Sequence, residues 1–284
     1  MKTTFYHWLN QWLEVYCKQT VRENTYKCYA AAIANVKKCL SDRPLQDLLE
    51  VDLQTGLNLL CDMGYSKSSI RKVVIVVHAA YKAAMHNGLV NMNPATYVKV
   101  PAEAPEKDVR ALTLKEQELV EKFCKSDLHG DLILFLLYSG LRRQELCNLK
   151  WIDFDEHRNC IYIRKSKTKS GVRRLPLHPL CVCIIRSQPK INEFIFNTSR
   201  QTPISPSSLH KTYLRLRKIT GVEILTNHVC RHTFATRLIE NGADPAAVAE
   251  LLGHASAGFT LNRYVHSQFE HLEKQVHLLP LRTA

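Results

Sequence analysis

The 284-residue chain reads as mainly α with a small β-hairpin or sheet, an α+β protein in two domains. Three observations predict this class. Apolar residues recur at three- and four-residue spacing along most of the chain. A single stretch, "CIYIRKSKTKSGVRRLPLHP", alternates and turns at Ser170-Gly171, as a hairpin does. Between two helical segments lies "NMNPATYVKVPAEAPEKDVRAL", with Pro94, Pro101 and Pro105 and no helical period. The expected division is a helical domain over 1–98, a linker over 99–109, and a second domain over 110–284.

The elements follow in order. "FYHWLNQWLEVYC" puts Trp8, Trp12 and Val15 at helical spacing. "SSIRKVVIVVHAAYKAAMHNGL" carries a long apolar face, with Ser66, Ser68 and Ser69 as candidate caps and Gly88 as its end. In "LTLKEQELVEKFC", Thr113 caps a helix and Glu116, three residues on, completes a capping box. "LILFLLYSGLRRQELCNLKW" reads as a buried helix, a break at Gly140 and a second short helix. Cys181 and Cys183 alternate as on a strand. Beyond residue 206 the pattern is helical to the end, punctuated by Gly221, Gly242, Pro245 and Gly253.

The totals narrow the function. With 45% hydrophobic and 23% charged residues the chain is a globular protein, away from the disordered class. Its net charge of +13 calls for a polyanionic partner, and both segments share the basic excess. The longest apolar run, "LILFLLY", is too short to span a bilayer, and the N-terminal stretch carries polar residues where a signal peptide has its apolar core. Ten cysteines come without a C-x-x-C spacing, so they read as reduced, mostly buried thiols of a cytoplasmic protein. Nucleic acid is the expected partner, held between two basic domains.

The chemistry-bearing residues fit phosphoryl transfer to a side chain. A tyrosine attacking a phosphodiester needs fixed cations on the non-bridging oxygens and an acid for the leaving oxygen. Arginine suits the first task because its planar fork grips phosphate and stays charged. Arg142 and Arg143 follow the Gly140 break, with Glu145 available as a plain ion-pair partner. His228 and Arg231 stand at i and i+3 on one helix face, which Thr226 or Asn227 caps. Lys167 and Lys169 lie at the hairpin tip, and "ELLGHASAGFTLNRYVH" adds His254 and Tyr264 ten positions apart. Each has an ordinary reading: a solvated helix end, edge protection by hairpin lysines, a packing aromatic. His228 and His232 lack a third ligand at metal spacing, and no carboxylate cluster suits Mg²⁺.

Taken together, "SGLRRQEL", "KTKSGVRRLPLHP", "HVCRHTFATRLIENGADPAAVAELLGHAS" and "LNRYVH" resemble the tyrosine recombinase (phage integrase) family. The resemblance covers the chain from about residue 110, and the helices of 1–98 look like that family's core-binding, DNA-binding domain. It implies a catalytic set of Arg142, Lys169, His228, Arg231, His254 and Tyr264, with Tyr264 as nucleophile and no metal or cofactor. Two departures are Val229, where aspartate is frequent, and Cys230, where leucine is common; neither position carries chemistry in the family. The hairpin is about a residue shorter than in many relatives, which leaves Lys167 as a competitor to Lys169. With core-binding helices from residue 5, the expected layout is compact, without an arm-binding domain.

That resemblance further implies double-stranded DNA as substrate, a homotetramer on two duplexes, and room for an accessory DNA-bending or directionality protein. Integration or excision of a mobile element is the expected role. A dimer resolvase with the same chemistry, a relaxing topoisomerase and a silent DNA-binding regulator are the rivals, and the intact residue set argues against the last. In the tail, Phe269, Leu272, Val276 and Leu279 recur on one helical face. That face either packs on its own domain or docks on a neighbouring protomer.

Overall fold

The computed structural model describes residues 3–106, 110–164 and 171–253. The chain divides into two compact units, Met1–Asp108 and Val109–Ala284. Helices dominate both, with one small antiparallel sheet, so the α+β class read from the sequence holds. None of the helices described is long and apolar enough to cross a membrane.

The first unit is a helical bundle: α1 Phe5–Trp12, α2 Glu23–Cys39, α3 Glu50–Asp62 and α4 Lys67–His86. Thr4 caps α1 and Ser66 caps α4. Phe5, Trp8, Leu9, Val76 and Tyr81 are buried among these helices, and the polar atoms of Trp8 and Tyr81 are satisfied. Trp8 Nε1 donates to the Ala80 carbonyl at 2.8 Å, and Tyr81 Oη to the Leu45 carbonyl at 3.1 Å. Val15 departs from expectation: it is exposed, while Leu13 and Cys17 are buried. The cause is a π-helical turn over Leu13–Cys17, whose extra residue rotates the apolar face away from the α-helical register of Trp8 and Trp12. Residues after α4 lie along the same unit, with Lys99 N donating to Gln54 Oε1 and Ala104 buried.

In the second unit α5 spans Leu114–Cys124, opened by the Thr113/Glu116 capping box. Next comes α6, Gly130–Ser139, whose residues are buried nearly all round. A helix apolar on every face belongs in a core, and α6 packs against α8 and α10. The short α7 covers Arg143–Cys147.

A three-stranded antiparallel sheet follows in the order β1-β2-β3, with β1 Phe154–Asp155, β2 Cys160–Ile163 and β3 Arg173–Pro176. The β2–β3 register pairs Ile161 with Leu175 and Ile163 with Arg173, as the alternation predicts. The sequence reading missed β1, whose two residues are too few to show a period.

One element contradicts that reading outright. Cys181 and Cys183 are not on a strand; they sit on α8, Pro179–Ser187. His178 caps this helix through its side chain and Pro179 fills the first turn, where no N–H partner is needed. Cys181, Val182, Ile184 and Ile185 are buried and Cys183 is exposed, a helical face that local alternation had mimicked. All ten cysteines are free thiols, six of them buried. Burial pushes the Cys124, Cys181 and Cys230 thiols up to about 12, so these are packing groups and poor nucleophiles.

The unit closes with α9 Pro206–Thr220, α10 Asn227–Glu240 and α11 Pro245–Leu252. Val229 and Cys230, the two departures noted above, are buried in the core.

Gly140 ends α6 in the left-handed region at φ +63°. A Cβ there would come within 2.5 Å of Phe234 on α10 and 3.1 Å of Leu252 on α11. Gly140→Ala is therefore expected to lower stability by about 2–4 kcal/mol, from the left-handed backbone and the overpacking together. Urea unfolding of the two proteins measures it.

Candidate active site

The turn after α6 sets up the site. Gly140 reverses the chain, Leu141 is buried, and Arg142 is the N-cap of α7. The Glu145 carboxylate accepts from the Arg142 backbone N–H at 3.0 Å and from Arg142 Nη1 at 2.8 Å. The available glutamate thus does pair with Arg142, and the pairing orients the guanidinium: its other arm, Nη2, donates to the Gly253 carbonyl at 2.9 Å. Arg143 is exposed.

Asn227, at the start of α10, joins this turn to the next helix. Its Oδ1 accepts from Arg143 N at 2.6 Å and its Nδ2 donates to the Leu141 carbonyl at 3.1 Å. Thr226 is the cap, accepting from Val229 N, which frees Asn227 for this second task. The first two turns of α10 carry His228 and Arg231. His228 is exposed; Arg231 is buried, 7% accessible.

A guanidinium so placed needs hydrogen-bond partners. Arg231 Nη1 donates to the Gly140 carbonyl at 2.8 Å and Nη2 to the Leu252 carbonyl at 2.5 Å.

A third arginine comes from the sheet. Arg173 Nε donates to the Leu251 carbonyl at 2.7 Å, while its Nη1 and Nη2 reach the two Glu145 oxygens at 3.2 and 3.1 Å. Arg173, Arg231 and Arg142 therefore bind three successive carbonyls, those of residues 251, 252 and 253. These belong to the C-terminal end of α11, where carbonyls lack helical partners and the macrodipole is negative. The next residue in sequence is His254. Burial pushes the Glu145 carboxyl up, but hydrogen bonds and charge from Arg173, with further bonds from Arg142, outweigh it and hold it below its ordinary value.

Of the sequence-predicted set, the structure brings Arg142, His228 and Arg231 to one region. Lys169, its competitor Lys167, His254, Tyr264 and the tail residues Phe269, Leu272, Val276 and Leu279 lie outside the described residues. The sequence reading missed Arg173. The signal was present: in "GVRRLPL" the alternation puts Arg173 on the side of β3 that carries Leu175 and Leu177, where an arginine must be paired.

The arrangement presents two fixed guanidinium groups beside the N-terminal, electropositive end of a capped helix, suited to a phosphate. Among the described residues no group of acidic, histidine or cysteine side chains could hold a metal ion.

Comparison with known proteins identifies the family. The chain is similar to the tyrosine recombinase XerA of Thermococcus kodakarensis, 33% identical over 220 residues and covering 74% of this chain and 75% of that protein. A XerC-like tyrosine recombinase of Caldanaerobacter subterraneus subsp. tengcongensis is 23% identical over 304 residues, 91% of this chain and 78% of that one. Among solved structures, the Tn1549 transposon integrase in complex with a circular intermediate DNA shares the fold with a TM-score of 0.81 at 23% identity, covering 97% of this chain and 99% of that one. A lambda integrase dimer bound to a COC' core site does so at 0.77 and 22% identity, covering 94% and 98%. A family model described as the N-terminal SAM-like domain of phage integrases matches residues 4–60. The model of the phage integrase family matches residues 111–271, more than half of the chain, and the chain belongs to that family.

Proposed function

We propose that the protein is a site-specific DNA recombinase that exchanges strands between two duplex sites, integrating or excising a mobile element. The Tyr264 hydroxyl loses its proton to solvent and its oxygen attacks the scissile phosphorus as the bond to the 5′-oxygen breaks. A 3′-phosphotyrosyl ester and a free 5′-hydroxyl result. Arg142 and Arg231 hold the non-bridging oxygens where charge accumulates, and His228 and His254 add hydrogen bonds. Lys169 gives its proton to the departing 5′-oxygen. The ester conserves the phosphodiester's energy, so a 5′-hydroxyl from the partner duplex reverses the step on a new strand, with neither ATP nor net hydrolysis.

The observation that carries this reading is the joint anchoring of Arg142 and Arg231 on the residues just before His254. Two cations fixed by the same short segment keep their spacing as the phosphate enters, and preorganisation of that kind is what stabilises a transition state. The basic excess supports a duplex partner, and a lambda integrase tetramer on a Holliday junction, which shares the fold, supports a tetramer on two duplexes.

The test is the product made from plasmids carrying two copies of a cognate site. Exchanged duplexes between separate plasmids mark an integrase. Products confined to sites on one circle mark a dimer resolvase, and relaxed circles from a one-site plasmid, without exchange, mark a topoisomerase and overturn the proposal.

The proton donor has its own test. Lys169→Ala is expected to cleave an ordinary phosphodiester slowly, by roughly 10²–10⁴-fold, the usual worth of a positioned acid. A substrate with a 5′-thiol leaving group needs no proton, so it restores the rate. Thiol rescue of Lys167→Ala in place of Lys169→Ala transfers the role to Lys167.

A further inference from the structure

The geometry points to Arg173 as a positioning residue for Arg142 and for the end of α11, an inference that rests on the recombinase reading of this site. Arg173 stands on β3 opposite Ile163, and its side chain is only 5% accessible, paired with a Glu145 side chain at 4%. It touches three segments at once. Through Nη1 and Nη2 it grips both Glu145 oxygens, through Nη1 it also reaches the Gly171 carbonyl at 2.9 Å, and through Nε it holds the Leu251 carbonyl. Each of these segments leads to a residue of the proposed machinery. Glu145 orients Arg142, Leu251 belongs to the turn of α11 that precedes His254, and Gly171 follows the hairpin residues that include Lys169.

The charges explain why an arginine is needed. Glu145 Oε1 is shared between Arg142 Nη1 and Arg173 Nη1, and Oε2 between the Arg142 backbone N–H and Arg173 Nη2. One buried carboxylate is thus divided between two guanidinium groups. Arg173 shares its neutralisation through two of the four bonds, and Arg142 keeps an arm for the Gly253 carbonyl. Without Arg173 the buried carboxylate would have Arg142 as its one guanidinium partner, and an under-compensated buried charge pulls that partner toward itself. Arg142 would be drawn off the phosphate position and α11 would lose one of its three anchors. A lysine cannot replace the arginine, because a single ammonium cannot chelate a carboxylate and reach two carbonyls in the plane of a fork. Arg173 itself needs no contact with DNA to act.

The test uses the full chain and a nicked suicide duplex. Arg173→Lys and Arg173→Met are each expected to form the covalent adduct roughly 10²-fold more slowly, the scale of a displaced catalytic group, with an unchanged Kd for the duplex. In an Arg142→Ala background, Arg173→Lys should add little further loss, since the residue it positions is gone. A merely structural role predicts instead a parallel loss of DNA affinity and a full multiplicative loss in that background. Arg173→Lys keeps a charge opposite Glu145 and serves where Arg173→Met fails to fold. If neither variant folds, Arg173 is a folding residue and the inference is overturned, as it is if Arg173→Lys cleaves like the parent.

A second readout does not depend on cleavage. The ¹⁵N–¹H guanidinium signals of Arg142 should be resolved in the parent chain and averaged in Arg173→Lys. A parent chain that forms no adduct refutes the recombinase reading alone, and unchanged Arg142 signals refute the positioning role alone.

Discussion

Tyr264→Phe is expected to bind its duplex as tightly as the parent chain and to form no covalent adduct. The substitution removes one oxygen and keeps the ring, so contacts that depend on the aromatic face survive while the atom that must bond to phosphorus is gone. Several other hydroxyls and thiols described in the structure are too deeply buried to substitute. Burial pushes the Tyr213 and Tyr81 phenols up, Tyr213 well above the ordinary value, and the most deeply buried thiols are also raised. Gel-shift titration and a denaturing gel on the same samples measure both halves of the expectation. Adduct formation by the phenylalanine variant would contradict the assignment of Tyr264.

Arg142→Ala and Arg231→Ala are each expected to slow cleavage by roughly 10²–10³-fold, the cost of one lost transition-state donor. The two should differ in stability. Arg142 is a third exposed and shares Glu145 with Arg173, so its loss leaves the buried carboxylate partnered. Arg231 is buried and ties Gly140 to Leu252, so its loss strands two carbonyls at the junction of α6 and α11. Single-turnover rates on folded protein, taken with urea unfolding, separate the two effects. Arg143→Ala is the control: its side chain is exposed and its backbone N–H, which stays, makes the contact to Asn227. A severe cleavage defect in Arg143→Ala with a mild one in Arg142→Ala would shift the register of the first arginine by one.

The sequence carried most of the helices because their signals are local. Thr113 and Glu116 announce the start of α5 within four residues, and Gly140 announces the end of α6 by a backbone that other residues adopt only at a cost. It failed where short-range pattern and tertiary environment disagree. Cys181 and Cys183 alternate in the text, yet the His178 cap and Pro179 start a helix through them. Val15 continues a spacing that the π-turn over Leu13–Cys17 breaks.

Within the candidate site, Arg142, His228 and Arg231 were singled out through the family resemblance of the short segments that carry them. Arg173 was not, since its role is defined by partners on α7 and α11, 28 and 78 positions away. Glu145 looked like a mere neutralising neighbour for the same reason: only the fold shows one carboxylate serving two arginines.

On the proposed mechanism Tyr264 becomes covalently joined to DNA. Its most direct test is to trap the full chain on a nicked suicide duplex, digest the adduct with trypsin and nuclease, and sequence the modified peptide by mass spectrometry. The expected product is a nucleotide attached through its 3′-phosphate to Tyr264. Attachment to any other residue, a 5′-phosphate linkage, or cleavage without an adduct would contradict it.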